Sequence, residues 1–400
     1  MNKKKVLYIS GSLGLGHIIR DLEIVKELRK INKDIDVSWL AANPASDLII
    51  QSGEKLLPEA QFYANDNVPA ENAAKEGFRL NLLEYLMKAI GEWKQNVEIF
   101  KKVMSKERFD IVVADEAYEI AIALANKDVV IDMPFIMLYD FIGNDSMTWN
   151  PMDKLAIYMW NREWAKCRNF FNNDQYTAIF VGELEDVPDI GLGPFLPKRR
   201  ELAKKICQFV GYILPFDPIT YKDKEKIRGH LGYSEAPLVI CSIGGTAVGK
   251  DLLALCGQTY DVVKRDIADL KMILVCGPRL ASEELIVPAG VEVEGYIPNL
   301  YEHFAACDLA IVQAGGTTTL ELTALKKQFL YFPLDGHFEQ QVHVTGRLAR
   351  HKAGIKMKFA QTTPESLAKM IVSTIGEKVT YPSIPTDGAV RAARVINNHI

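Results

Sequence analysis

Four hundred residues, 48% hydrophobic and 24% charged, supply enough apolar surface for two globular domains with separate cores. A net charge of −4 excludes the basic footprint of a nucleic-acid-binding protein. No apolar run reaches the roughly 18 residues that a membrane-spanning helix needs. The six cysteines lack C-x-x-C spacing, and Cys241 and Cys276 end apolar runs, so they read as reduced core thiols of a cytoplasmic protein.

Residues 6–10 form a predicted strand, followed by a glycine loop at 11–16, a helix through Leu22, Val25 and Leu28, and a strand at 37–42. The basic start at Lys3-Lys4-Lys5 precedes an apolar run too short for a signal peptide. Glycines at 11, 14 and 16 do not follow G-x-G-x-x-G order, and the second strand ends at Asn43 without an acidic ribose ligand, which disfavours a dinucleotide site. His17 falls where the helix begins, at the C-terminal edge of the sheet, and suits a general base; helix capping or packing is the plainer alternative.

Residues 76–107 carry Phe78, Leu82, Leu86, Ile90, Trp93, Val97 and Phe100 at three-to-four spacing, predicting a long amphipathic helix with a weak point at Gly91. The strand after it ends in Asp115, placed to orient His17, with Glu116 and Glu119 as alternatives. Beyond a strand at 135–139 lies an aromatic helix with Trp149, Met152, Leu155, Ile157, Tyr158, Met159, Trp160, Trp164 and Phe170. It reads either as a helix buried between neighbours or as an apolar acceptor groove or membrane-surface patch.

A strand at 178–181 closes the first half, and prolines and glycines then mark a connection. The pattern gives a first domain at 1–190, a linker at 191–220, a second domain at 221–382 and a final helix within 383–400. The second half opens with a strand at 238–242 and the loop Gly244-Gly245-Thr246. Residues 244–250 satisfy G-x-x-x-x-G-K, but Asp251 stands where a P-loop needs Ser or Thr, so this loop reads as a glycine-rich wall for a diphosphate. The strand at 309–312 runs into Gly315-Gly316, and Thr317, Thr318 and Thr319 open a helix whose free amides attract anions. Glu321, one turn inside, suits a sugar hydroxyl, and the strand at 329–332 delivers His337, Glu339, Gln340 and Gln341. No D-x-D pair lies in an apolar-strand context, which disfavours a metal-dependent transferase. The predicted class is α/β, with two Rossmann-like doubly wound domains.

On these residues the chain resembles GT-B glycosyltransferases of the UDP-glycosyltransferase type and is similar to the peptidoglycan lipid-intermediate N-acetylglucosaminyltransferases. The resemblance is strongest over 239–354, weaker over the first 45 residues and essentially absent from 60 to 200. It implies that Gly244, Gly245 and Thr246 flank the diphosphate, that Ile297 reads the uracil edge through its backbone, and that Gly315, Gly316, Thr317 and Thr318 hold the diphosphate. It further implies that Glu321 binds ribose, that Gln340 and Gln341 contact the donor sugar, and that Gly16-His17 presents the base with Asp115 as partner. Gln313 stands where the family often has His or Arg, Val344 where it has Asn, and Leu214 where one subgroup has Arg. The implied fold has two domains facing across a cleft. The implied activity is inverting, metal-independent and cofactor-free transfer of a sugar from a UDP-sugar donor to a hydroxyl acceptor, apolar or lipid-linked, with peripheral membrane contact. A nucleotide-sugar hydrolase or 2-epimerase and a noncatalytic nucleotide-sugar-binding protein are the alternatives.

Overall fold

Alternation of side chains along short parallel strands builds both sheets, each buried on its two faces. The computed structural model describes residues 3–11, 13–65, 67–75, 78–171 and 175–400, without the side chains of Lys75, Leu82, Leu86, Cys167 and Arg168. Two units divide the chain: Met1–Asn72, Leu82–Pro215 and Pro385–Ile400 form the first, Ala73–Asn81 and Phe216–Ile384 the second.

In the first unit seven parallel strands, β1 (Lys4–Ile9), β2 (Ile35–Leu40), β3 (Lys55–Leu56), β4 (Ile111–Asp115), β5 (Phe135–Tyr139), β6 (Tyr176–Phe180) and β7 (Cys207–Phe209), lie in the order β3-β2-β1-β4-β5-β6-β7. Leu7, Ile9, Val112, Phe135 and Met137 fill one face; Val6, Tyr8, Ile111, Val113 and Ile136 fill the other. Helix α1 (Gly16–Ile31) covers the second face with Ile18, Ile24, Val25 and Leu28. The last helix (Gly388–Asn397) packs beside α1 through Ala389, Ala392, Ala393 and Ile396. The strand order reverses between β1 and β4, where doubly wound sheets open a crevice at their C-terminal edge.

The first unit reaches Pro215 instead of ending at 190. The proline-rich segment looks like a linker, yet it supplies a helix (Arg199–Ile206) and the edge strand β7, whose three residues pair with β6 and whose Phe209 ring packs on Phe180. Residues 78–107, the described part of the long amphipathic stretch, also differ from their periodicity. A continuous helix, α2 (Leu82–Lys106), passes unbroken through Gly91, but Phe78 precedes it at φ 62°. Phe78 is instead buried in the second unit's core, stacked on Phe359, in a hairpin of Ala74–Lys75 and Arg79–Leu80 that pairs with Asp335. Leu82 and Leu86, also read as core positions, lie outside the described side chains. Helix α3 (Tyr118–Ala125) follows β4, and the aromatic helix α4 (Pro151–Phe170) is one-sided. Ile157 and Trp164 are buried, while Met152, Leu155 and Met159 are exposed and Trp149 is 92% exposed.

In the second unit six parallel strands, β8 (Leu238–Ser242), β9 (Lys271–Val275), β10 (Val291–Glu294), β11 (Leu309–Gln313), β12 (Phe329–Phe332) and β13 (Ile355–Lys356), lie in the order β10-β9-β8-β11-β12-β13. The reversal falls between β8 and β11, so the two glycine-rich turns that follow these strands share one edge of the sheet. Asp251, one residue into helix α5 (Lys250–Val263), accepts from the Phe78 amide, so the carboxylate that replaces the P-loop hydroxyl holds the hairpin. Cys207, Cys241, Cys256, Cys276 and Cys307 are free thiols, and the Cys167 side chain lies outside the described set. No described helix is long and apolar enough to cross a membrane.

Candidate active site

Each unit carries a polar cluster at its switch point. In the first, the loop after β1 turns at Gly14 (φ 73°), whose amide donates to the buried Asn67 side chain at 2.8 Å. A Cβ on Gly11 would come within 3.2 Å of the Asp115 carbonyl and 3.3 Å of the His17 ring, so glycine is what lets the ring lie against the loop. Gly16 begins α1 and His17 follows it.

His17 Nδ1 stands 3.1 Å from Asp115 Oδ2 at the end of β4, and Nε2 stands 3.8 Å from Glu116 Oε2. Arg20, one turn along α1, was not legible as part of this cluster. It donates from Nε to Asp115 Oδ2 (2.9 Å), from Nη2 to Asp115 Oδ1 (2.5 Å) and from Nη1 to Asp140 Oδ2 at the end of β5 (2.7 Å). Burial alone would raise the Asp115 carboxyl, but the Arg20 guanidinium and His17 bring it below the usual range. Asp140 is lowered for the same reason, by Arg20 against burial. Glu116 goes the other way: burial and the neighbouring Asp140 raise it well above the usual range, and its backbone sits in the left-handed region at φ 50°. Glu119 turns elsewhere, accepting from Tyr63 and Asn96.

In the second unit Gly244 sits at φ 83°, and a Cβ on Gly277 would lie 2.2 Å from the Gly244 carbonyl oxygen, so the two loops touch through backbone. Gly245 and Thr246 continue this loop, half-buried. Ile297, in the segment after β10, packs on the core cluster under β8 and β11. Gly315 caps helix α6 (Gly316–Ala324), whose first turn carries Thr317 and Thr318. Gly315 has ordinary φ and ψ, and a Cβ there would meet nothing within 4 Å. Neither backbone nor packing therefore demands glycine at this position. Arg347 lies alongside, its Nη2 donating to the Gly316 carbonyl at 2.5 Å and to Thr319 Oγ1 at 3.1 Å.

Glu321 is 7% exposed, and burial pushes its carboxyl up to about 8. No described side chain or backbone amide hydrogen-bonds to it. Gln340 and Gln341 sit in a π-helical turn (Glu339–Val344), a form that recurs at functional sites. Gln340 Oε1 accepts from the Leu334 amide at 2.8 Å, and Gln341 Nε2 donates to the carbonyls of Pro333 and Leu334. Gln313, oriented so that its amide satisfies its neighbours, donates to Val248 and Ile243 carbonyls and accepts from Gln340 Nε2. It thus ties the Gly244 loop to the π-turn. His337 is held neutral, its imidazole pushed down to about 4 by burial.

Residues 239–386 match the glycosyltransferase family 28 C-terminal domain. The relatives that this chain resembles are named as glycosyltransferases. A glycosyltransferase of uncharacterised activity from Methanosarcina acetivorans is 22% identical over 94% of this chain and 90% of its own. Another, from Methanopyrus kandleri, is 25% identical over 47% of this chain, which spans about half (53%) of that relative's length. The UDP-N-acetylglucosamine–N-acetylmuramyl-(pentapeptide) pyrophosphoryl-undecaprenol N-acetylglucosamine transferase of Carboxydothermus hydrogenoformans is 24% identical over 38% of this chain and 42% of its own. Among solved structures, the glycotransferase of kitacinnamycin superposes with a TM-score of 0.64 at 14% identity, with both chains covered in full. A Streptomyces sp. SF2575 glycosyltransferase complexed with thymidine diphosphate gives 0.54 at 15% identity over 99% of each chain. The chain therefore has the GT-B fold of these neighbours, two parallel sheets of seven and six strands.

Proposed function

We propose that this protein is a glycosyltransferase that moves a sugar from a UDP-sugar to a hydroxyl acceptor with inversion and without a metal ion. The donor side rests on Glu321: a buried carboxylate with no protein partner is costly to keep, and a ribose diol one helical turn from the diphosphate turn would supply the missing hydrogen bonds. The amides at Gly316, Thr317 and Thr318 and the α6 N-terminus would carry the diphosphate charge as it leaves. Gln341 and the π-turn would face the donor sugar.

His17 is the proposed base. The acceptor hydroxyl gives its proton to Nε2 while Nδ1–H donates to Asp115; the acceptor oxygen bonds the anomeric carbon, and the bond to the diphosphate breaks with its electron pair going to UDP. Attack from the face opposite the leaving group inverts the anomeric centre. Thymidine diphosphate in one structural neighbour and a UDP-N-acetylglucosamine donor in one relative make UDP-, dTDP- and GDP-sugars the informative panel. UDP and UDP-sugars should raise the melting temperature by several degrees near saturation, through binding worth about 2.7 kcal/mol at 100 times Kd. Absence of any shift across the panel would remove the donor reading, and stoichiometric free sugar without an acceptor would redirect it to hydrolysis.

A further inference from the structure

The His17 cluster holds more buried charge than a base and its partner require. Two carboxylates, Asp115 and Asp140, arrive at the ends of adjacent strands β4 and β5, and one guanidinium, Arg20, touches both. Arg20 is 8% exposed and Asp115 is 0% exposed, so solvent does little to screen them. Three of the Arg20 donors are committed to carboxylate oxygens in a planar fork that fixes the Asp115 carboxylate from two directions. Arg20 Nη2 also stands 2.9 Å from His17 Nδ1, the nitrogen that Asp115 approaches at 3.1 Å. A single ring nitrogen either donates to the carboxylate or accepts from the guanidinium, so Arg20 and Asp115 contend for the same site.

We propose that Arg20 is a positioning residue of the base: it clamps the Asp115 carboxylate that orients His17 and balances the buried anions on both sides of it. The inference deepens the reading of His17 as the base and rests on it. Without Arg20, the imidazole would face Asp115 and Asp140 with no fixed cation between them, and the imidazolium would be favoured over the neutral ring that accepts a proton. The other titratable groups around the ring do not supply that cation. Glu116, at the end of β4, is a carboxyl raised well above its usual range by burial and Asp140; Asp21 from α1 is buried and accepts from Tyr8 and Ser10; Tyr118 from α3 is a buried phenol. A lysine in place of Arg20 keeps the charge and loses the fork; a methionine keeps most of the bulk and loses both.

The test reads the His17 ring directly by long-range 15N–1H correlation NMR across pH 5 to 9, with the His17 signal assigned by its loss in His17→Gln. In Arg20→Met the pH at which the His17 signals change should move up by about one unit or more, and Arg20→Lys should restore it to within about half a unit of wild type. Asp140→Asn, which leaves Arg20 in place and removes one anion, should move it down. A folded Arg20→Met that titrates as wild type overturns the proposal, as does an Arg20→Lys that fails to restore the profile. If Arg20→Met does not fold, an Asp140→Asn profile identical to wild type overturns it equally. Neither donor nor acceptor is present in the experiment, so a protein that binds no UDP would count against the assigned reaction and leave this result to stand by itself.

Discussion

The two polar clusters are built in opposite ways. Around His17 the buried charges are matched within the protein: Asp115 and Asp140 face Arg20, and the glycine loop is pinned through Asn67. Around Glu321 the carboxyl is left without a hydrogen-bond partner among the described residues; the Gly315 amide donates to the Gln313 carbonyl, and Gly316, Thr317 and Thr318 lead the helix beside it. The proposed base would have to be oriented before its substrate arrives, which internal partners achieve. A binding carboxylate gains most when the ligand supplies the hydrogen bonds that the protein withholds.

That contrast fixes what substitution should do at each end. The largest effect belongs to His17→Ala, which should lower sugar transfer by about 10²–10⁴-fold with UDP affinity unchanged. Loss of both together would make His17 a structural residue. Next, Glu321→Ala should weaken UDP by about 10- to 100-fold, measured by calorimetry, with little effect on the His17 signals. Gly315→Ala should fold normally, since its Cβ meets open space, and lose UDP affinity several-fold through the displaced diphosphate, as measured against unchanged uridine binding. Gln340→Ala should instead cost about 1–3 kcal/mol of stability in a denaturant titration, because its side chain braces the Leu334 amide and Gln313. A Gln340→Ala protein of wild-type stability that loses discrimination between donor sugars would return this residue to direct sugar contact.

The sheet-edge geometry was legible wherever apolar strands met glycine turns. Leu309 to Val312 before Gly315-Gly316, and Val6 to Ile9 before the Gly11 loop, announce both switch points because a buried parallel strand must be continuously apolar and its turn must lack side chains. Phe78 was misread because an aromatic at helical spacing from Leu82 looks the same whether it opens the helix or leaves it for another core. Strand β7 was missed because three residues give too short a pattern among prolines. Arg20 carried one weak signal, its place three residues after His17 on the same helical face, but a long cation on a helix ordinarily reads as solvated surface. Gln340 shows the converse limit, since a glutamine that braces its own turn has the same letter as one that holds a sugar.

Under the proposed reading, Glu321 also couples donor binding to pH. Its folded value, about 8, lies above the ordinary 4.5, so folding retains a proton that the unfolded chain releases. The unliganded protein should therefore lose stability as pH rises from 4.5 toward 8, by up to roughly 1.4 kcal/mol per pH unit, and Glu321→Gln should be free of that loss. A ribose diol donates to the carboxylate form, so UDP should bind more tightly as the proton leaves. The most direct measurement is the UDP dissociation constant of wild type and Glu321→Gln between pH 6.5 and 9. Binding through Glu321 predicts about tenfold tighter association for wild type across that range and a flat profile for the variant. A wild-type profile as flat as that of Glu321→Gln, at equal affinity, would contradict it.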